Sequence, residues 1–284
     1  MRVWVCGVRG STAAPGSEFA GYGGHTSCIA IAHDGELPSL ILDAGTGIRR
    51  VSDLFESTAG LLEDRPFEGS IVLGHLHWDH TQGLPFFGAG NRPGSKVKLF
   101  VPAQGDTKDV IEGFMSPPYF PITPDELLGS WSFFALEAGK TDIDGFSVLA
   151  LDVPHSAGRT FGLRISDGMS SIAYISDHCP TKLGDGPEGL GEYHESALAL
   201  CRDCDVVFHD GQYTDEELPA RASFGHASSG YAVGLAAAAG ARQLLLFHHD
   251  PARTDRQIDE MVASYADESI AVGAAREGMI IDIP

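Results

Sequence analysis

The sequence predicts an α/β protein in which two β-sheets pack face to face beneath outer helices, a four-layer αββα sandwich. Three observations carry that expectation. Short apolar strands gather in both halves of the 284 residues. Helical stretches separate the strands of the second half, an order that lets helices cover a sheet. Thirty-five glycines and sixteen prolines supply the turns that many short strands need. No repeat, low-complexity run or linker divides the chain, so a single domain over residues 1–284 is expected.

Residues 1–8 read as a strand, followed by the glycine-bearing loop from Arg9 to Gly16. Glycines 21, 23 and 24 lead into a strand over 26–32. A third strand over 39–43 is broken by Ala44-Gly45-Thr46-Gly47, and a helix is expected over 48–57. Residues 71–74 form a buried strand and 81–87 a short helix, with a strand at 97–101 and a helix over 107–115 beyond them. The segment around 102–130 is expected to be an irregular insertion rich in proline and aromatic residues. Within it, Ser116-Pro117-Pro118-Tyr119-Phe120-Pro121 cannot be regular structure, because proline removes donors and restricts its neighbours. That run reads equally as a lid, a subunit contact in a homodimer, or a packed loop. Strands return at 146–153, 159–165 and 171–176. Helices over 193–201, 228–239 and 254–265 then alternate with strands at 206–208 and 243–247, and 279–283 forms a last strand.

Composition narrows the function. Nineteen basic against thirty-nine acidic residues give a net charge of −20, which argues against a long nucleic-acid footprint. Small anionic substrates remain possible, because bound metal ions can dominate a local field. Five cysteines do not make a disulfide framework, and the lone Cys201-x-x-Cys204 pair reads as a helix end before a strand rather than a zinc or redox site. No segment reaches the apolar length of a membrane span, and residues 1–5 enter a strand without a signal-peptide pattern. A cytoplasmic protein without membrane partners is expected by default.

The chemistry begins at His75-Leu76-His77-Trp78-Asp79-His80, directly after Ile71-Val72-Leu73-Gly74. A rigid apolar strand that ends in three imidazoles and a carboxylate delivers ligands at its tip. His80 breaks the strand parity of His75, His77 and Asp79, so the run must leave the strand as a tight loop, able to address two adjacent centres. Neutral imidazole and carboxylate suit zinc, and also manganese or iron. Later strands end the same way, at Val153-Pro154-His155, at Tyr174-Ile175-Ser176-Asp177-His178 and at Leu246-Phe247-His248-His249. Convergent strand tips are how a sheet builds a site.

His-x-His-x-Asp-His followed by spaced His, Asp and His resembles the ligand pattern of the metallo-β-lactamase superfamily, over almost the whole chain. Within it the chain most resembles the phosphodiesterase branch, which includes tRNase Z and the cyclic-phosphate diesterases. Gly24-His25-Thr26-Ser27-Cys28 and Leu42-Asp43-Ala44-Gly45 look like that branch's opening. The resemblance implies the metallo-β-lactamase fold and two divalent ions, zinc first with manganese or iron as alternatives. His75, His77 and His155 would hold one ion, Asp79, His80 and His248 the other, and Asp177 would bridge them. Asp43 would orient a ligand histidine or merely form its turn. Histidine at position 77, where the diiron oxygen-reducing relatives carry Glu, favours a hydrolytic centre. Phe208-His209-Asp210-Gly211-Gln212-Tyr213 and Gly225-His226-Ala227-Ser228-Ser229 resemble the tRNase Z motifs in which an acidic residue supports a proton-donating histidine. That makes Asp210 the support and His226 the acid, and Asp79 is counted with them in the catalytic set. Ser228 could cap the following helix and leave His226 free for chemistry.

The implied reaction is hydrolysis of a small phosphodiester, a cyclic nucleotide or cyclic sugar phosphate, by a hydroxide shared between the ions. By formal count the inner shell carries about +1, which suits a monoanionic diester. Lactam, lactone or thioester hydrolysis on the same centre is the alternative. The tRNase Z arm commonly lies between the third histidine and the bridging Asp, but here only 21 residues separate His155 from Asp177. The small anionic substrate is therefore expected in place of tRNA. Arg9 and Ser11 read either as phosphate contacts or as solvated loop residues, and His178 either reaches substrate or lies on the surface.

Overall fold

The computed structural model describes residues 1–56, 66–156 and 158–284, and it is built on two seven-stranded sheets. The first takes β1 (Arg2–Gly7), β2 (Cys28–Ala32), β3 (Leu40–Leu42), β4 (Glu68–Val72), β5 (Lys96–Pro102) and β6 (Ser130–Leu136). The second takes β7 (Gly139–Ile143), β8 (Phe146–Asp152), β9 (Phe161–Ser166), β10 (Ser171–Ile175), β11 (Val206–Asp210), β12 (Gln243–Phe247) and β13 (Ala271–Ala274). The chain then returns to the first sheet as β14 (Ile280–Asp282), antiparallel to β1. Strand order is β14-β1-β2-β3-β4-β5-β6 in one sheet and β13-β12-β11-β10-β9-β8-β7 in the other. Each sheet is antiparallel at one end and parallel at the other, with β3 to β6 and β10 to β13 the parallel runs.

Strands inside the sheets, such as β2, β3, β10 and β12, read as continuous apolar runs because both faces are covered. In β3, Leu40 and Leu42 enter the core between the sheets, beside Val5, Tyr174 and Phe247, while Ile41 faces the helical layer. In β12, Leu245 and Phe247 point between the sheets, and Leu244 and Leu246 point outward. Over the first sheet, α1 (Ile48–Glu56) brings Ile48 and Val51, and α3 (Thr107–Glu112) brings Ile111. Over the second, α4 (Glu195–Cys201), α6 (Ser229–Ala238) and α7 (Asp255–Ala263) contribute Leu200, Leu235 and Ile258. The result is the αββα sandwich. Two short helices, α2 (Trp78–Thr81) and α5 (Leu218–Arg221), lie in loops. No helix among the described residues is long and apolar enough to cross a membrane.

Two expectations are corrected. The helix expected over 81–87 begins at Trp78 as α2, and Pro85 sits in a separate 3₁₀ turn at Leu84–Phe86. Asp79 and His80 therefore ride on a helical turn rather than on the expected tight loop. Strands β6, β7 and β13 were not foreseen; each lies at the edge of its sheet. The expected end of the first helix at residue 57 falls outside the described residues.

Candidate metal centre and proton donor

Parallel registry brings the later residues to one edge. Ile175 of β10 lies beside His209 of β11, and Asp210 lies beside Phe247 of β12. The strands therefore release Asp177, Asp210 and His248 together at their C-terminal ends, where open sheets place their sites. His155 follows β8 in the same sheet. Across the sandwich, β4 delivers His75, His77, Asp79 and His80.

The seven expected ligands meet there. His75, His77 and His155 have their ligating atoms within 4.8 Å of one another, and so do Asp79, His80 and His248. Asp177 lies between the two groups, with Oδ2 3.0 Å from His80 Nε2 and Oδ1 3.5 Å from both His155 Nε2 and His248 Nε2. All but the more exposed His77 are buried.

Hydrogen bonds aim the imidazoles. His80 Nδ1 donates to Asp43 Oδ2 at 2.7 Å, His155 Nδ1 to the Gly225 carbonyl at 2.7 Å, and His248 Nδ1 to Gln212 Oε1 at 2.9 Å. The partners accept only, so in the neutral form each ring presents the lone pair of Nε2 to the centre, the usual support for a metal-bound histidine. Asp43 also accepts from Gly74 N at 2.7 Å and from Tyr174 OH at 2.8 Å. The Ser11 amide donates to Asp79 Oδ2 at 2.7 Å. Asp43 and His248 both adopt positive φ, 59° and 57°, as each leaves the end of its strand.

Both nitrogens of His75, His80 Nε2 and Asp177 Oδ2 are buried without a hydrogen bond, although the last two lie close together. Orphaned polar atoms of this kind are costly unless something fills the space between them. The electrostatics agree. Burial opposes charge on His80, yet Asp79, Asp177 and Asp43 raise its pKa well above the ordinary imidazole value. The same three carboxylates would favour a cation beside His80 Nε2. Burial alone would raise Asp79 and Asp177, but His80 and His248 hold Asp79 low, and His248, His80 and His75 hold Asp177 well below the usual range. Burial keeps His75, His77 and His155 below the ordinary value and so neutral, as ligation requires. The donor set fits divalent metal ions.

Beside this cluster, His226 Nδ1 donates to Asp210 Oδ2 at 3.0 Å and lies 3.7 Å from Asp177 Oδ1. Asp210 is fully buried and is fixed by the amides of His178, Gln212 and Ala227. Burial works against charge on His226, but Asp210, then Asp177 and Asp79, push its pKa up to about 9. Ser228 caps α6 by accepting from Tyr231 N, so His226 is not needed for that task. A cavity of about 640 Å³ opens over the cluster, lined among others by Ser11, Asp79, Asp177, Arg221 and His226.

Two expected substrate contacts are corrected. Arg9 is fully buried and spends its guanidinium on the carbonyls of Gly23, Asp250, Arg253 and Phe19, fastening three loops. His178 is fully buried, with Nδ1 donating to His209 Nε2 at 3.1 Å, so it neither reaches substrate nor lies on the surface. Gln212 and the Gly225 carbonyl went unrecognised as supports. Gln212 stands two residues after Asp210 in a motif already singled out, whereas a backbone carbonyl leaves no trace in residue type.

A sandwich of this layering, with imidazoles and carboxylates gathered at one edge, is the arrangement of a metal-dependent enzyme. A family model for the beta-lactamase superfamily domain matches residues 39–249. Ribonuclease Z of Methanosarcina mazei is 39% identical over 262 residues, covering 81% of this chain and 83% of that protein. The crystal structure of human tRNase Z, short form, superimposes with a TM-score of 0.69 at 18% identity, covering all of both chains. A diphosphatase of the PhnP family gives 0.67 at 16% identity, over 100% of this chain and 98% of the other. The chain belongs to the metallo-β-lactamase superfamily and is a hydrolase related to ribonuclease Z.

Proposed function

We propose that this hydrolase is a dinuclear phosphodiesterase acting on a small phosphodiester, a cyclic nucleotide or cyclic sugar phosphate. His75, His77 and His155 would hold one divalent ion and Asp79, His80 and His248 the second, with Asp177 placed to serve both, and zinc is the ion that suits this donor set first. When bound, the two ions would lower the pKa of water towards about 7 and offset charge on phosphoryl oxygens. Asp43, Gln212 and the Gly225 carbonyl keep Nε2 of three ligands turned inward.

The observation that carries the reading is His226 in the wall of the same cavity, backed by the buried Asp210. Hydrolysis of a diester expels an alkoxide, which leaves more readily as an alcohol. His226 holds one proton on Nδ1 against Asp210, which leaves the Nε2 proton to be handed to that oxygen. A positioned acid contributes about 10²–10⁴-fold. Lactams and thioesters have less need of such a group. Small substrate size is supported by the stretch between His155 and Asp177, which β9 and β10 fill without an arm, and by the charge of −20.

The test is hydrolysis of bis(p-nitrophenyl) phosphate by zinc-loaded protein. His226→Ala is expected to keep its metal content and to lose turnover of an alkyl diester such as 3′,5′-cyclic AMP, whose leaving group is an alkoxide. Normal turnover in that variant would remove the acid assignment, and lactam or lactone cleavage without diesterase activity would overturn the whole reading.

A further inference from the structure

A second cavity of about 640 Å³ adjoins the first, and Trp78 lines both. Its other walls include Phe86 beside α2 and Phe114, Met115, Tyr119 and Phe120 from the proline-rich segment. Trp78 is 77% exposed, Tyr119 78% and Phe86 57%, a concentration of bare aromatic surface unusual beside a polar site. Phe86 and Phe120 meet edge to face with ring centroids 5.9 Å apart. No charged side chain lines this cavity among the described residues, whereas Asp79, Asp177, Arg221 and Asp250 line its neighbour. Gln82 offers an exposed amide on its wall, while Thr81 is buried and donates its hydroxyl to the His77 carbonyl.

We propose that this groove is a subsite for a planar, uncharged heterocycle carried by the substrate, which makes the preferred diester a nucleotide rather than a bare sugar phosphate. The inference rests on the phosphodiesterase reading and chooses within it. Trp78 directly follows His77, so their Cα atoms are about 3.8 Å apart. A ring stacked on Trp78 and a phosphate at the ligand cluster therefore belong to one nucleotide-sized molecule. Stacking needs aromatic faces and no charge, because every base has a π-face, and the Gln82 amide can meet polar atoms at its edge. The division of labour follows from the lining: the charged cavity takes the phosphate, and the uncharged one takes the ring. The segment over 116–120 thereby gains a role as one wall of the groove.

The experiment compares metal-loaded wild type with Trp78→Ala, Phe120→Ala and Trp78→Phe. The readout is the ratio of kcat/KM for 3′,5′-cyclic AMP to that for methyl riboside 3′,5′-cyclic phosphate, which lacks the base. Both alanine variants are expected to lower the ratio about tenfold or more, mainly through KM, and Trp78→Phe to restore most of it. Independently, adenosine 5′-monophosphate is expected to quench tryptophan fluorescence in the wild type and to lose that effect in Trp78→Phe. An unchanged ratio in both alanine variants overturns the proposal, as does unaltered fluorescence. Sedimentation that reveals a dimer abolished by Trp78→Ala, with the ratio unchanged, would assign the face to a second copy and overturn it too. If the wild type cleaves neither ester, the phosphodiesterase reading falls, and quenching by the monophosphate then decides the groove alone.

Discussion

Asp43 Oδ2 lies 2.7 Å from His80 Nδ1, a buried pair joining residues 37 apart in sequence. The carboxylate fixes which nitrogen of His80 faces the centre, and it also holds Tyr174 OH and Gly74 N. Asp43→Ala is expected to weaken metal binding by about 10–100-fold, measured by chelator competition. It also strands the buried Gly74 N and Tyr174 OH, so the metal-free variant should lose about 1–3 kcal/mol of stability for each of these donors. Metal affinity equal to that of the wild type would show that Asp43 serves only its turn.

Gly10 packs against the opposite flank of the site. A Cβ there would collide with the His248 ring and come within 2.6 Å of Gln212 Oε1. His248 cannot swing aside and still ligate, so Gly10→Ala is expected to lose stoichiometric metal while far-UV circular dichroism stays that of the wild type. Full metal content by atomic emission would contradict this.

Asp210 and His226 are expected to act as one unit. Asp210→Asn and His226→Ala should each lower kcat for a diester by about 10²–10⁴-fold. The double variant should be little worse than either, because groups that share one task are not additive. Losses that multiply in the double variant would separate the two roles.

Glu217 gives a pH signature away from the metals. Burial alone would raise its pKa, but the Thr214 amide and Arg253 outweigh burial and lower it. A depressed folded-state pKa stabilises fully above the ordinary carboxylate range, and that contribution fades as pH falls through the depressed value. Glu217→Gln should therefore lower Tm at pH 7, with the gap to wild type narrowing below about pH 4. A gap independent of pH would mean that charge is not the cause.

Much of the fold was legible because strands buried on both faces, such as Leu40–Leu42 and Gln243–Phe247, leave plain apolar runs. The strands that escaped notice are β6, β7 and β13, all at sheet edges, where Gly139–Ile143 carries no apolar run and most apolar residues of Ser130–Leu136 stay partly exposed. The helix start at Trp78 was hidden because His77 precedes it in extended conformation without a side-chain cap. At the site, ligand types and their strand-end context were readable. Arg9 and His178 misled because a charged or imidazole side chain near a site suggests exposure, and here both are satisfied inside the protein. The Ser11 amide and the Gly225 carbonyl act through backbone atoms, which any residue possesses.

The cluster draws His75, His77, Asp79 and His80 from one sheet and His155, Asp177 and His248 from the other. Cations seated among them would rivet the mouth of the sandwich across its two halves. Starving the protein of metal should then do more than silence it: with the rivets gone, that rim becomes the first place where amides exchange and proteases cut.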